Sequence, residues 1–218
     1  MMCGRFTLFT RPEKIMEELG IQIPLFDPSY NVAPSQNILS VAANSNGTRA
    51  GFLKWGLVPS WAKDKKIGPK LINARAETIA EKPAFKSSFY RRRCLIIADS
   101  FYEWKRTGNE KRPYRIVIGD EDIITFAGLW DRWTDGEEQI NSCTIITTHP
   151  NQTMLTLHDR MPVILDKKSR EVWLDSNVED PSQLQSLLTP FQGEMNAYQV
   201  SRAVNNPRQN NVQLLRPV

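Results

Sequence analysis

The sequence predicts a single α+β domain, residues 1–218, built on a largely antiparallel sheet or barrel with short peripheral helices. Three observations predict it. Many short stretches alternate apolar and polar residues or run apolar throughout, tight-turn residues join several of them in pairs, and the segments with helical period are brief. No repeat, low-complexity tract or linker divides the chain.

Taken in order, residues 4–9 read as a short strand. Thr10-Arg11-Pro12-Glu13 then matches a capping box, with Thr10 as N-cap and Glu13 at the third helical position. Ile15, Met16 and Leu19 supply the apolar stripe of that helix, and Gly20 ends it. Residues 21–34 are irregular and rich in proline. Residues 37–43 and 48–57 alternate like strands around Asn46-Gly47, a strong hairpin signal. A long connection, 58–73, holds Trp61 and a lysine cluster; loops of this length in compact domains are usually functional. Residues 94–99 form an unbroken apolar run, as in a buried strand, and lead into Phe101-Tyr102-Glu103-Trp104. A turn at Thr107-Gly108-Asn109 returns the chain to a strand at 114–118, and Gly119-Asp120-Glu121-Asp122 turns it into 123–129. Further strands are expected at 139–147, 162–165, 198–200 and 212–215, and helices at 151–157, 167–174 and 181–188, the last capped by Asp180.

Composition narrows the function classes. At 40% hydrophobic and 24% charged the chain reads as soluble and globular, and no apolar run approaches the roughly 20 residues that span a bilayer. No secretory signal is visible. Three well-separated cysteines argue for a reducing, cytoplasmic setting, with Cys94 and Cys143 in the core. Two histidines and no CxxC leave no transition-metal site and no cofactor expected. Charge is segregated. Residues 54–93 carry eleven Lys/Arg against three acids, so this stretch is +8 within a chain of +4. Aromatic residues interleave it, which suits a polyanion with unpaired bases; a solvated face is the competing reading.

Cys3 is the first chemical candidate. Once residues 1 and 2 are lost, it carries an α-amine and a thiol on adjacent atoms, with reference pKa values of about 7.7–8.0 and about 8.5. Such a pair meets an aldehyde in two steps: the amine forms a Schiff base and the thiol closes a thiazolidine. Alternatively Cys3 is a small apolar residue opening the first strand. Glu103 is the second. Among Phe101, Tyr102 and Trp104 it is either desolvated, with a pKa raised toward the range of general acid–base work, or placed by period two on a solvent face. His158 is a structural hydrogen-bonder or, with Cys3 and Glu103, part of a thiol-protease set. Asn73 is, with Glu103, His158 and Arg160, one of four polar residues placed where strands end or loops begin.

Together these residues lie in ordered motifs: Met2-Cys3-Gly4-Arg5-Phe6, Tyr30-Asn31-Val32-Ala33-Pro34, Trp55-Gly56-Leu57-Val58-Pro59-Ser60-Trp61, Asn73-Ala74-Arg75-Ala76-Glu77-Thr78, Phe101-Tyr102-Glu103-Trp104-Lys105, His158-Asp159-Arg160-Met161-Pro162 and Val200-Ser201-Arg202-Ala203-Val204-Asn205. On these the chain resembles the SRAP family, the SOS-response-associated peptidase domain of bacterial-type abasic site processing proteins. The resemblance implies a protein that binds abasic sites in single-stranded DNA and traps the open-ring aldehyde on the N-terminal cysteine, associating with the nucleoid when DNA is damaged; a monomer is the default expectation. It implies Cys3 as the crosslinking residue, Asn73 as the amide that positions it, Glu103 as the acid–base group and His158 as a contact to the opened sugar. It implies DNA contacts from Arg5, Asn31, Pro34, Trp61, Arg75 and Arg160; Lys65, Lys66 and Arg91, Arg92 and Arg93 are further candidates for phosphates. Family members usually begin Met-Cys-Gly-Arg, whereas this chain begins Met1-Met2-Cys3, so a mature chain starting at Cys3 requires loss of both methionines. Two other readings compete: a thiol peptidase acting on other proteins, and a non-covalent reader of single-stranded or modified DNA.

Overall fold

Period-two segments dominate the chain, and pairing between them organises the residues that the computed structural model describes, 3–44, 47–119 and 123–218. The strands are β1 (Phe6–Leu8), β2 (Ser29–Val32), β3 (Asn37–Asn44), β4 (Gly47–Trp55), β5 (Asn73–Arg75) and β6 (Arg93–Ala98). They continue as β7 (Ser100–Thr107), β8 (Glu110–Ile118), β9 (Ile124–Asp135), β10 (Glu138–Thr148), β11 (Met161–Pro162) and β12 (Met195–Gln199). One sheet has the order β12-β8-β7-β1-β2. In the other, β10, β4, β3, β6 and β9 pair in sequence, and β9 pairs back onto β10 from Asp135↔Glu138 to Gly128↔Ile145. That last ladder closes the second sheet into a barrel, which leaves those strands without an open edge. The α+β class with a largely antiparallel, barrel-like core is therefore what the chain adopts; the β10–β4 pair, at Cys143↔Trp55, is parallel.

The core explains the apolar runs. β6 lies in the barrel wall with every position buried, hence its apolar run from Cys94 to Ala98. Phe6 of the first sheet meets Trp55 and Phe126 of the barrel at ring-centroid distances of 5.3 and 6.0 Å, and Phe101 meets Phe126 at 5.9 Å. These aromatic contacts join the two sheets. Cys94 and Cys143 are buried in the barrel as expected.

Short helices α1 (Pro12–Leu19), α2 (Lys86–Arg91), α3 (Gln152–Leu155), α4 (Lys167–Leu174) and α5 (Pro181–Ser186) lie around the sheets. Gly20 ends α1 in the left-handed region at φ 67°, its N–H reaching the Met16 carbonyl. Asn151, Asp166 and Asp180 cap α3, α4 and α5 through their side chains. The capping box at Thr10 does not form. Arg11 is the N-cap, and the N–H groups of Phe9 and Thr10 bond instead to the buried carboxyl of Asp99. The strand expected at residues 212–215 is a 3-10 turn, Val212–Leu215, nucleated where the Asn211 side chain accepts the Gln213 N–H. The hairpin between β3 and β4 forms in the register Asn44↔Gly47, with its turn residues 45 and 46 outside the described region, as are residues 120–122 of the expected turn after Gly119.

A close backbone approach helps to order the long connection after β4. Gly56 has φ 130°, and a Cβ placed there would lie 2.8 Å from the Gly68 carbonyl oxygen; Gly68 faces Gly56 in the same way. This approach seats the 3-10 segment Lys65–Lys70 against the end of β4. Gly56→Ala is predicted to destabilise the protein by about 1–3 kcal/mol, read as a lower midpoint in urea unfolding, because both the positive φ and backbone contact are lost. An unchanged midpoint would show that this contact does not hold the connection.

Candidate active site

Register within the first sheet builds the centre of the site. β1 and β7 pair at Phe6↔Phe101, and Tyr102 N–H donates to the Arg5 carbonyl at 2.9 Å, so the chain before β1 runs back along β7 toward Glu103. There the main-chain nitrogen of Cys3 donates to Glu103 Oε1 at 2.5 Å, and Trp104 N–H approaches Oε2 at 3.4 Å. Cys3 and Glu103 are each 1% exposed. The solvent-face alternative for Glu103 is thus excluded. Cys3 has φ 37°, a left-handed conformation that a side-chain-bearing residue adopts under constraint.

Burial sets the ionisation of this pair. Removal from water pushes Glu103 up from 4.5 to about 7, against the opposing effect of the Cys3 and Trp104 N–H groups that favour the carboxylate. Asp159 adds a small upward push, which places the 158–160 segment within electrostatic reach of Glu103. Burial, then the Glu103 charge, pushes the Cys3 thiol well above its usual value. The thiol at rest is therefore protonated, while the carboxyl beside it is poised to exchange protons near neutrality.

A second group of the expected residues lies at the C-terminal end of β10, where β5 pairs on one side, Asn73↔Ile145, and β11 pairs with Thr147 and Thr148. Arg160, just before β11, ties these elements together. Its Nη1 and Nη2 donate to the two oxygens of Glu77 at 2.6 and 2.9 Å, and Nη2 also donates to the Thr147 carbonyl at 2.7 Å. His149 Nε2 lies 3.0 Å from the same Glu77 carboxylate. Asn73, at the start of β5, has a buried side-chain amide nitrogen with no hydrogen-bond partner, a donor left free. His158 follows α3. Its Nδ1 faces both the Arg160 N–H at 3.2 Å and the Asp159 carboxylate at 2.8 Å, so the neutral ring serves the first and the protonated ring the second. Burial lowers its pKa, partly offset by Asp159.

The residues expected to touch DNA divide into two groups. Arg5 Nη1 donates to Asn31 Oδ1 and the Val204 carbonyl at 2.7 and 2.6 Å. Asn31, 2% exposed, holds the carbonyls of Asn206 and Gln209. Arg160 is 7% exposed and bound as above. These three make bonds inside the fold: Arg5 and Asn31 brace the 202–209 turn and Arg160 the 158–162 segment. Arg93 is likewise buried and donates to main-chain carbonyls, including those of Trp173 and Asp175. Arg92 pairs with the buried Asp131 at 3.0 Å. Arg75 is exposed, Pro34 half-buried, and Trp61 is 58% exposed with its ring nitrogen on the Pro83 carbonyl. Glu77 and Asp159, which hold Arg160 and His158, carried no role in the sequence; their only signal was membership of the same short motifs. Among the described residues no group of three His, Cys, Asp or Glu side chains could hold a metal, and no helix is long and apolar enough to cross a membrane.

Comparison with known proteins gives a consistent picture. The family model described as SOS response associated peptidase (SRAP) matches residues 2–207. The abasic site processing protein YoqW of Bacillus subtilis (strain 168) is 50% identical over 221 residues, covering 98% of this chain and 99% of that protein. The abasic site processing protein YedK of Escherichia coli (strain K12) is 29% identical over 227 residues, covering 100% of each. A crystal structure of a protein from Bacteroides thetaiotaomicron superposes with a TM-score of 0.90 at 27% identity, covering 99% of this chain and 100% of that one.

The raised pKa of Glu103 has a consequence for stability. A carboxyl that ionises at 4.5 unfolded and about 7 folded takes up a proton on folding, so its contribution falls as pH rises through that window and stays low above it. Gln at this position keeps an acceptor for the Cys3 N–H without ionising. Glu103→Gln, in the chain retaining residues 1 and 2, is predicted to gain stability over the parent between about pH 5 and about pH 8, by on the order of 3 kcal/mol. Thermal melts at both pH values check this; a difference independent of pH would contradict it.

Proposed function

The chain belongs to the SRAP family, and from that premise we propose that it processes abasic sites in DNA by trapping the open-ring aldehyde of the lesion, in single-stranded DNA, as a thiazolidine on Cys3. The observation that carries this reading is the buried contact between the Cys3 nitrogen and Glu103 Oε1. Loss of residues 1 and 2 turns that amide nitrogen into a primary amine already hydrogen-bonded to a carboxyl whose pKa, before that loss, burial raises to about 7. Hydrolysis of the bond before Cys3, in which water adds to the carbonyl carbon of residue 2 as the Cys3 nitrogen leaves, also relieves a left-handed φ worth about 1–3 kcal/mol, with Glu103 in place to protonate the departing nitrogen. Self-processing of the terminus therefore uses the same pair of residues.

The chemistry then runs in two steps. The neutral amine attacks the sugar aldehyde carbon, forming a C–N bond; Glu103 takes a proton from the nitrogen and returns one to the carbinolamine hydroxyl, which leaves as water to give the Schiff base. The Cys3 sulfur next attacks the imine carbon, its proton passes to the nitrogen, and the ring closes. A neutral His158 and the free amide of Asn73 are the groups assigned to the opened sugar's oxygens. Arg75, Trp61 and Pro34 are assigned to the flanking strand. The thiol's raised pKa and burial disfavour a peptidase acting in trans, which needs an accessible thiolate at rest.

Denaturing electrophoresis with abasic-site single-stranded DNA tests the reading. The processed chain is predicted to give a slow-migrating covalent band that Cys3→Ala abolishes, and Glu103→Gln to slow its formation about 100-fold or more. The intact mass of competent protein should lack both Met1 and Met2. Absence of the band with protein of that mass would end the proposal.

A further inference from the structure

Two cavities on this molecule carry several cations, and they differ in what surrounds them. One lies between α1 and α4, with about 530 Å³ of space, and its Lys14, Lys167 and Arg170 share the walls with Glu17, Glu18 and Asp166. Its charges are matched internally. The second, of about 190 Å³, is lined by Lys54, Lys65 and Lys66 together with Ser35, and no Asp or Glu lies in its walls. Lys65 reaches out to Glu138 at 2.6 Å; the nearest oxygen of Asp64 is 3.9 Å from Lys66; Lys54 is exposed and in no ion pair among the described residues.

The fold maintains this concentration of like charge. The Gly56–Gly68 backbone contact seats Lys65 and Lys66 opposite the end of β4, which carries Lys54. Ser35 enters the wall at φ 72°, and its N–H donates to the Trp55 carbonyl at 2.8 Å. Ammonium groups held around one cavity with no carboxylate in its lining create a field that an anion relieves. Main-chain links lead from this cavity toward the residues described above. Ser35 follows Pro34 directly, while Trp55 Nε1 donates to the Ile72 carbonyl and Leu57 N–H to the Leu71 carbonyl, immediately before Asn73.

We propose that the Lys54–Lys65–Lys66 cavity binds a backbone phosphodiester of the DNA strand away from the lesion itself, so that the strand runs from the Cys3 site past Pro34 and into this pocket. The assignment rests on the DNA-processing reading above and extends it by giving the strand a path. Specificity for sequence is not involved, since lysines meet phosphate as point charges.

The test is the salt dependence of affinity, measured in a Cys3→Ala background so that no covalent product forms. Adding Lys54→Gln and Lys66→Gln, both at exposed positions, is expected to make log K against log salt shallower by about 0.7 for a strand extending on both sides of the lesion, the amount for one single-strand phosphate. A short oligonucleotide limited to the lesion and its immediate neighbours should show no change. An unchanged slope on the long strand, or an equal change on the short one, would overturn the proposal. So would saturable, lysine-dependent binding of inorganic phosphate at constant ionic strength with no effect of strand length, which would mark a free-anion site. The two readings separate cleanly. A lysine-dependent slope with no covalent band from the processed wild-type chain upholds the pocket and removes the crosslinking reading; a band with an unchanged slope does the reverse.

Discussion

A carboxyl group sealed from water holds the main-chain nitrogen of Cys3. The Glu103–Cys3 contact at 2.5 Å joins the strand that opens the first sheet to the strand beside it, and everything proposed for the site follows from its burial. In water a glutamate of ordinary pKa would be a weak base and, at neutral pH, no acid at all. Desolvation moves it to about 7, where both protonation states are populated and either direction of proton transfer is open. Burying an ionisable group costs stability, and the fold tolerates it because Cys3 and Trp104 N–H groups satisfy the two oxygens.

A second group of polar residues gathers where the barrel closes. Barrel closure fixes β10, and the end of β10 is where β5 and β11 meet. Arg160 spans the junction, with two bonds to Glu77 and one to the Thr147 carbonyl. A bidentate guanidinium–carboxylate pair has one geometry, so the short segment carrying His158 has little freedom relative to Asn73. Arg5 and Asn31 do the same for the 202–209 turn on the other side. Three of the polar residues expected to touch DNA thus also hold the protein's own turns in place.

Much of the fold was legible in the sequence because period and turn chemistry are local. The buried strand at β6, the α4 helix at Lys167–Leu174 and the Asp180-Pro181 cap appear where the residue pattern put them. Thr10 misled because a local capping signal lost to a tertiary partner, the buried Asp99 carboxyl, which lies far along the chain. The terminal 3-10 turn was misread because Val212, Leu214 and Leu215 satisfy a strand pattern, while the Asn211 side chain decides the backbone. Within the site, composition nominated Cys3 and Glu103 but could not say whether they touch; alternation left Glu103 facing either way. Glu77 was invisible as a partner because its role depends on pairing across β10, which no linear spacing encodes.

The ionisation of Glu103 is the quantity on which the account turns. Carbon-13 NMR of the side-chain carboxyl groups, followed across pH in the chain retaining residues 1 and 2, measures it directly. The account predicts one carboxyl resonance, lost in Glu103→Gln, that titrates near 7, well apart from the exposed glutamates. If that resonance instead titrates with the surface carboxylates at about 4.3, the pair is hydrated, the carboxyl is an ordinary anion, and the proton exchange assigned to it fails.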